Sequence, residues 1–130
     1  MMTPQAPVSR VRTLGELSMS VSAQALDVVY GRSAAGVRAR LERPSGDSWR
    51  TVSQAETDSD GQILDWLDDE LEQGAYRIVF DSDSYFASLG ISAAYPEVAV
   101  VFRVQDETDT CRIQVLLAPY SYSMFFGSRV

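Results

Sequence analysis

Cys111 and Arg112 stand side by side in the stretch TCRIQVLL, and a guanidinium next to a thiol can lower its pKa enough to make a nucleophile. Neighbours in a strand point to opposite faces, however, so if Arg112 faces an open cleft Cys111 faces the core and is a structural residue. Cys111 is the only cysteine, which rules out an internal disulfide, a thiolate zinc site and a CxxC redox pair. It also fits a reducing compartment. Histidine is absent. Imidazole is the one side chain whose unperturbed pKa lies between about 5 and 8, so Ser-His-Asp and Cys-His catalysis and imidazole metal ligation are excluded. The carboxylates cluster in ETDSD (56–60) and DDELEQ (68–73), which read as solvated turns because Asp and Glu are rarely buried. The run DSDGQILDWLDDE (58–70) lacks the alternating ligands and bidentate Glu of an EF-hand. No metal or other cofactor is implied.

The elements that would position a site are short strands. Residues 1–17, with Pro4 and Pro7 and no period, read as a flexible arm, and residues 18–130 as one domain. Met19, Val21, Ala23 and Ala25 alternate, and the apolar phase then shifts by one at Leu26 and Val28, as a β-bulge would shift it. In GVRARL, Val37, Ala39 and Leu41 face one way and Arg38, Arg40 and Glu42 the other, until Pro44-Ser45-Gly46-Asp47 turns the chain. Further strands are expected from Trp49 to Ala55, Gln62 to Leu67, Ala75 to Asp81, Glu97 to Val104, Arg112 to Leu117 and Ser121 to Phe126, with Pro96 opening the fourth of these. One short helix is expected from Ser82 to Gly90, capped by Asp83 or Ser84 and anchored by Tyr85 and Phe86. Trp49 and Trp66 read as core or edge packing. Strands at roughly ten-residue spacing with one helical turn predict an all-β sandwich.

With 45% apolar residues, 130 residues can bury a core without a staple. Eleven basic against eighteen acidic residues give a net charge of −7, with no basic run, which disfavours nucleic acid and anionic membranes as partners. No apolar run reaches the length of a membrane span and residues 1–17 lack a secretory apolar region, so a cytoplasmic location is expected. The last stretch, LLAPYSYSMFFGSRV (116–130), holds four aromatics, where most chain ends fray in polar residues.

That stretch resembles the terminus of the transthyretin and 5-hydroxyisourate hydrolase family. QALDVVYG (24–31) is similar to the family's first strand with its HVLD or KVLD motif, GVRARL to its second strand, and TDSDGQ (57–62) to its T-x-x-DGR turn. GAYRIVFDSDSYFASLGISAAYPEVAVVF (74–102) follows its G-x-Y segment, its helix and its YPEVxVxF strand, so the resemblance runs from about residue 18 to 128. It implies a transthyretin-like sandwich of two four-stranded sheets with one short helix, assembled as a homotetramer, a dimer of dimers. The C-terminal strand would line a channel between the dimers, which accounts for an aromatic end.

The resemblance also implies where a site would be. The family's hydrolases open the hydroxyisourate ring with a first-strand histidine, the arginine of the DGR turn and a penultimate-strand histidine, with a terminal YRGS completing the pocket; transthyretin lacks these and carries hormone. Here the matching positions hold Gln24, Gln62 and Arg112, and YRGS has become Phe125-Phe126-Gly127-Ser128. A neutral amide cannot accept a proton at neutral pH, a guanidinium does not deprotonate in proteins, and a positioned general base is worth about 10² to 10⁴-fold in rate. Ordinary hydroxyisourate hydrolysis is therefore expected to be weak or absent.

Two carboxamides and a guanidinium still make a donor-rich cleft for a small polar heterocycle. Phe125 and Phe126 would offer an apolar wall, and Tyr122 and the Ser128 hydroxyl further contacts. In an enzyme of altered chemistry, in specialised metabolism, Arg112 would stabilise an oxyanion while Gln24 and Gln62 orient the substrate, with Asp65, Tyr122 or Cys111 as the base. In a carrier like transthyretin the same residues would only bind. A third reading has Gln24, Gln62 and Arg112 simply hydrogen-bonding to one another.

Overall fold

The structure, a computed structural model, describes residues 20–64, 66, 72–105 and 110–128. The expected arm (1–17), Asp65 and most of the DDELEQ link lie outside them. Strands β1 (Ser20–Asp27), β2 (Arg32–Ser33), β3 (Arg38–Ser45), β4 (Ser48–Glu56), β5 (Gln62–Ile63) and β6 (Gly74–Phe80) precede helix α1 (Ser82–Ser88), and β7 (Val98–Val104), β8 (Thr110–Ala118) and β9 (Ser121–Ser128) follow it. They form two sheets. One runs β2-β1-β8-β9 with β5 also paired to β1, and the other runs β4-β3-β6-β7. The two-residue β2 makes the first sheet five-stranded among the described residues, and no helix among them is long and apolar enough to cross a membrane.

The alternation in the sequence sets which side chains meet between the sheets. Val21, Ala23 and Ala25 of β1 and Ile113, Val115 and Leu117 of β8 point inward against Leu41, Tyr76, Ile78 and Phe80 of the other sheet, all of them buried. The inward set of the GVRARL stretch that leads into β3 is Val37, Ala39 and Leu41, as its pattern dictates. Trp66 is buried with its Nε1 donating to Ser53 Oγ (2.8 Å), which ties the chain after β5 to the opposite sheet. Trp49 lies half-buried beneath the guanidinium of Arg77, 4.7 Å from its ring centre.

Three local expectations need correction. The apolar phase does not shift in β1: β1 pairs with β8 in unbroken register, and the inward position after Ala25 is taken by Asp27, 1% exposed. A carboxylate can occupy that place because its hydrogen bonds are met. Tyr85 Oη donates to its Oδ2 (2.6 Å), and the backbone N–H groups of Val29 and Tyr30 donate to its Oδ1 (2.8 and 3.1 Å). The irregularity in register falls instead between Leu41 and Glu42, in the β3–β4 pairing. Finally, the helix cap is Asp81, whose Oδ1 accepts from Ser84 N (3.2 Å), and β7 begins at Val98, two residues after Pro96.

The helix ends where Gly90 adopts φ 76°. Its Tyr85 and Phe86 are 8% and 1% exposed and pin it to the sandwich. Burial, reinforced by the hydrogen bond to Asp27, pushes the Tyr85 hydroxyl up to about 12.

Candidate functional site

Strand order brings the site together. The parallel register of β1 and β8 sets Ser22 beside Arg112 and Gln24 beside Gln114; β5 sets Gln62 beside Gln24, and β9 sets Gly127 beside Arg112 and Phe125 beside Gln114. Because paired residues share a face, Gln62, Gln24, Gln114 and Phe125 form one row across the outer face, and Ser22, Arg112 and Gly127 a second. The inward residues of these strands are core, so these rows face away from it.

The rows line an open cavity of about 340 Å³, which Leu64 and Phe126 also line. All three residues expected at the centre, Gln24, Gln62 and Arg112, are there. Arg112 is exposed and the three glutamines are half-buried. A Cβ at Gly127 would meet nothing within 4 Å, so the space beside the guanidinium is open. Phe125 stands on the cavity's face. Phe126 reaches it from the opposite face of the edge strand, its ring 5.8 Å from that of Phe102, so the two phenylalanines do not form a single wall.

Gln62 is held by the turn before it. Asp58 Oδ1 accepts from the N–H groups of Asp60 and Gln62, and Asp58 N donates to the Gln62 carbonyl, each at 2.9 Å. Gly61, with φ 74°, accepts from Ala25 N at 2.8 Å, and a Cβ there would lie 2.5 Å from the Ala25 carbonyl oxygen. Only glycine meets both demands. Thr57, 4% exposed, donates to Ala34 O and accepts from Val37 N, which fixes the turn to the segment between β2 and β3. The ETDSD cluster is thus a turn in which Asp58 satisfies backbone donors.

Gln114 was not expected. Its Nε2 donates to Gln24 Oε1 at 2.9 Å. The signal was in the sequence, since a polar residue two places after Arg112 in an alternating strand must share its face. Among the described residues no hydrogen bond joins Gln24, Gln62 and Arg112 to one another.

The other expected residues lie apart. Tyr122 is outside the cavity, its ring edge-on to Tyr95 at 5.3 Å. Cys111 is fully buried on the core side. Ser128 pairs with Cys111 at the end of β9 and its side chain is outside the described residues. Asp65 is outside them altogether. Arg112 is the one lining residue, among those described, that carries a charge, and none of them can take up a proton at neutral pH.

Residues 21–127 match the sequence model described as the HIUase/Transthyretin family. The chain belongs to that family. HIUase/Transthyretin relatives include a probable 5-hydroxyisourate hydrolase of Caenorhabditis elegans, 32% identical over 111 residues, covering 84% of this chain and 82% of the relative. The 5-hydroxyisourate hydrolase of Salmonella typhimurium is 31% identical over 109 residues (83% and 80%), and that of Deinococcus radiodurans 36% identical over 108 residues (79% and 91%). Among solved structures, transthyretin from Sparus aurata superposes with a TM-score of 0.80 at 24% identity, over 85% of this chain and 98% of that one. Sea bream transthyretin in complex with thyroxine also gives 0.80 at 24% identity, over 85% and 96%. The family's sandwich is the fold described above.

Proposed function

We propose that this chain is a diverged 5-hydroxyisourate hydrolase homologue that binds a small polar heterocycle and no longer opens the hydroxyisourate ring by the family's imidazole route. One observation carries this reading: Gln24, Gln62 and Arg112 line one cavity in which no described residue can accept a proton. Arg112 and the glutamines supply donors for ligand oxygens, and Phe125 supplies an apolar surface. Fresh 5-hydroxyisourate should decay little or no faster with the protein than in buffer. Decay at a rate comparable with that given by the Salmonella relative would overturn the reading.

Whether the site also performs chemistry turns on Arg112. Its guanidinium has no ion-pair partner among the described residues, which favours a second reading in which it stabilises an oxyanion in an altered reaction. The two readings separate on Arg112→Ala once a ligand is in hand. An enzyme loses turnover, whereas a carrier loses affinity alone.

The assembly belongs to the same proposal. β9 and β7 are the outer strands of their sheets, and Tyr122, Phe125, Phe126 and Val101 on them are exposed. An unpaired, aromatic strand edge favours pairing with another copy, which supports the homotetramer with the cavity face turned toward a channel. Sedimentation equilibrium should give the mass of four chains, and a monomer at micromolar concentration would reject the assembly. The lone, buried Cys111 is compatible with a cytoplasmic setting.

A further inference from the structure

Resting on the reading that this cavity takes a heterocycle, we infer that its ligand is a planar monoanion, with the negative charge on Arg112 and the ring against Phe125. The inference comes from how this chain disposes of its charges. Arg40 and Arg77 are both spent on Glu42, with Nε to carboxylate distances of 2.6 Å, and Arg43 reaches Glu72 at 3.6 Å. Among the described residues Arg112 is not spent in this way. Its row neighbours are Ser22 and Gly127, which bring no charge, and no acid lines the cavity among the described residues.

A net charge of −7 repels anions at long range, but that field is screened over about 8 Å at physiological ionic strength, whereas a contact with Arg112 is not. The local cation therefore decides the sign. The lining is also rich in donors. A guanidinium offers five N–H groups and accepts nothing. The bond between Gln24 and Gln114 uses one N–H and one carbonyl, which leaves both N–H groups of Gln24, one of Gln114 and those of Gln62 available to a ligand in the cavity they line. Such a set matches a ring bearing several carbonyl oxygens and a delocalised charge. A cavity of about 340 Å³ is at the small end of ligand sites, which suits one or two fused rings, and the Phe125 face favours a flat one.

The test uses two planar rings of nearly the same shape: barbiturate, an anion at neutral pH, and uracil, which is neutral. Binding to the full chain is measured by calorimetry, with the glutamine side-chain amide resonances reporting where each ring sits. Barbiturate is expected to bind at least tenfold more tightly than uracil. Arg112→Gln should abolish that preference and Arg112→Lys should keep part of it, with the amide spectrum checking that both variants are folded. Equal binding of the two rings at the Gln24 and Gln114 amides overturns the anion assignment and leaves the heterocycle site standing, and so does a preference that survives Arg112→Gln. Binding of neither ring at millimolar concentration overturns both.

Discussion

Gln114 donates to Gln24 across the parallel strands β8 and β1, Nε2 to Oε1 at 2.9 Å, and this bond decides which amide groups the cavity offers. Removing it should alter the site more than the fold, because both side chains are half-buried and water can replace the lost partner. Gln114→Val is expected to change stability by no more than about 1 kcal/mol. It should shift the side-chain amide resonances of Gln24 while leaving those of Gln62 in place. Unchanged Gln24 resonances would mean that the bond does not form in solution.

The family positions can be refilled. The triple variant Gln24→His, Gln62→Arg, Arg112→His restores the imidazoles and the arginine that the hydrolase resemblance assigns to these places, all on one cavity. A general base alone is worth about 10² to 10⁴-fold. The triple variant should therefore accelerate 5-hydroxyisourate decay at least about 10²-fold over the unmodified chain, and Gln24→His alone should achieve much less. A folded triple variant without activity would show that these positions do not suffice for the hydrolase reaction in this chain.

Gly61 is the hinge between the Asp58 turn and the site. Ala at this position must adopt φ near 74° and place a methyl 2.5 Å from the Ala25 carbonyl oxygen. The left-handed conformation alone costs about 1–2 kcal/mol, and the clash adds to it because a strand carbonyl cannot swing aside without breaking its ladder. Gly61→Ala should lower stability by at least about 2 kcal/mol in urea unfolding and displace Gln62. By contrast Gly31 and Gly46, whose Cβ positions meet nothing within 4 Å, should tolerate Ala at the conformational cost only.

Much of this was legible in the sequence where a single physical rule applies. GVRARL alternates because one face of β3 is core and the other is not, so Val37, Ala39 and Leu41 could be placed inside from local pattern alone. Asp27 could not. A carboxylate in an inward position contradicts the pattern unless its partner is known, and Tyr85 is 58 residues away, so the local pattern alone mimics a change of phase. The three central site positions came from motif resemblance, while their meeting depends on β1 lying parallel to β8, which no local period encodes. Gln114 was legible in principle, from its spacing to Arg112, but became meaningful only once Gln24 stood opposite it.

On the far sheet, Glu42 is 4% exposed and held by Arg40 and Arg77, each at 2.6 Å. Burial alone would raise its carboxyl, but the two guanidinium hydrogen bonds outweigh it and hold it below the ordinary carboxylate value. A depressed acid stabilises the fold above its unfolded pKa, here near 4.5, and loses that contribution as pH falls through the folded value. Glu42→Gln should cost on the order of 2 kcal/mol at neutral pH, the scale of a hydrogen bond to a charged group. The gap between parent and variant in urea unfolding should close as pH drops below about 4.5. A gap constant down to pH 2 would show that the loss is one of packing and not of charge.

Tyr85 gives the opposite sign at the other end of the pH range. Its hydroxyl is raised from 10.0 to about 12, first by burial and then by the hydrogen bond it donates to Asp27. Between these values the unfolded chain has released the proton and the folded chain still holds it, so stability falls as pH rises from 10 toward 12. Below 10 the contribution is complete. Tyr85→Phe keeps the ring's packing against Phe86 (5.2 Å between centroids) but leaves Asp27 Oδ2 buried without its donor, at a cost of about 1–3 kcal/mol at neutral pH. The variant should be less stable than the parent from pH 6 to 10 and approach it by pH 12, measured by guanidinium unfolding with a fluorescence readout. Because the lost bond joins α1 to β1, amide exchange in the variant should rise first at Val29 and Tyr30, whose N–H groups share the same carboxylate. Equal stability of parent and variant across that range would mean that Asp27 draws its hold from those two amides alone.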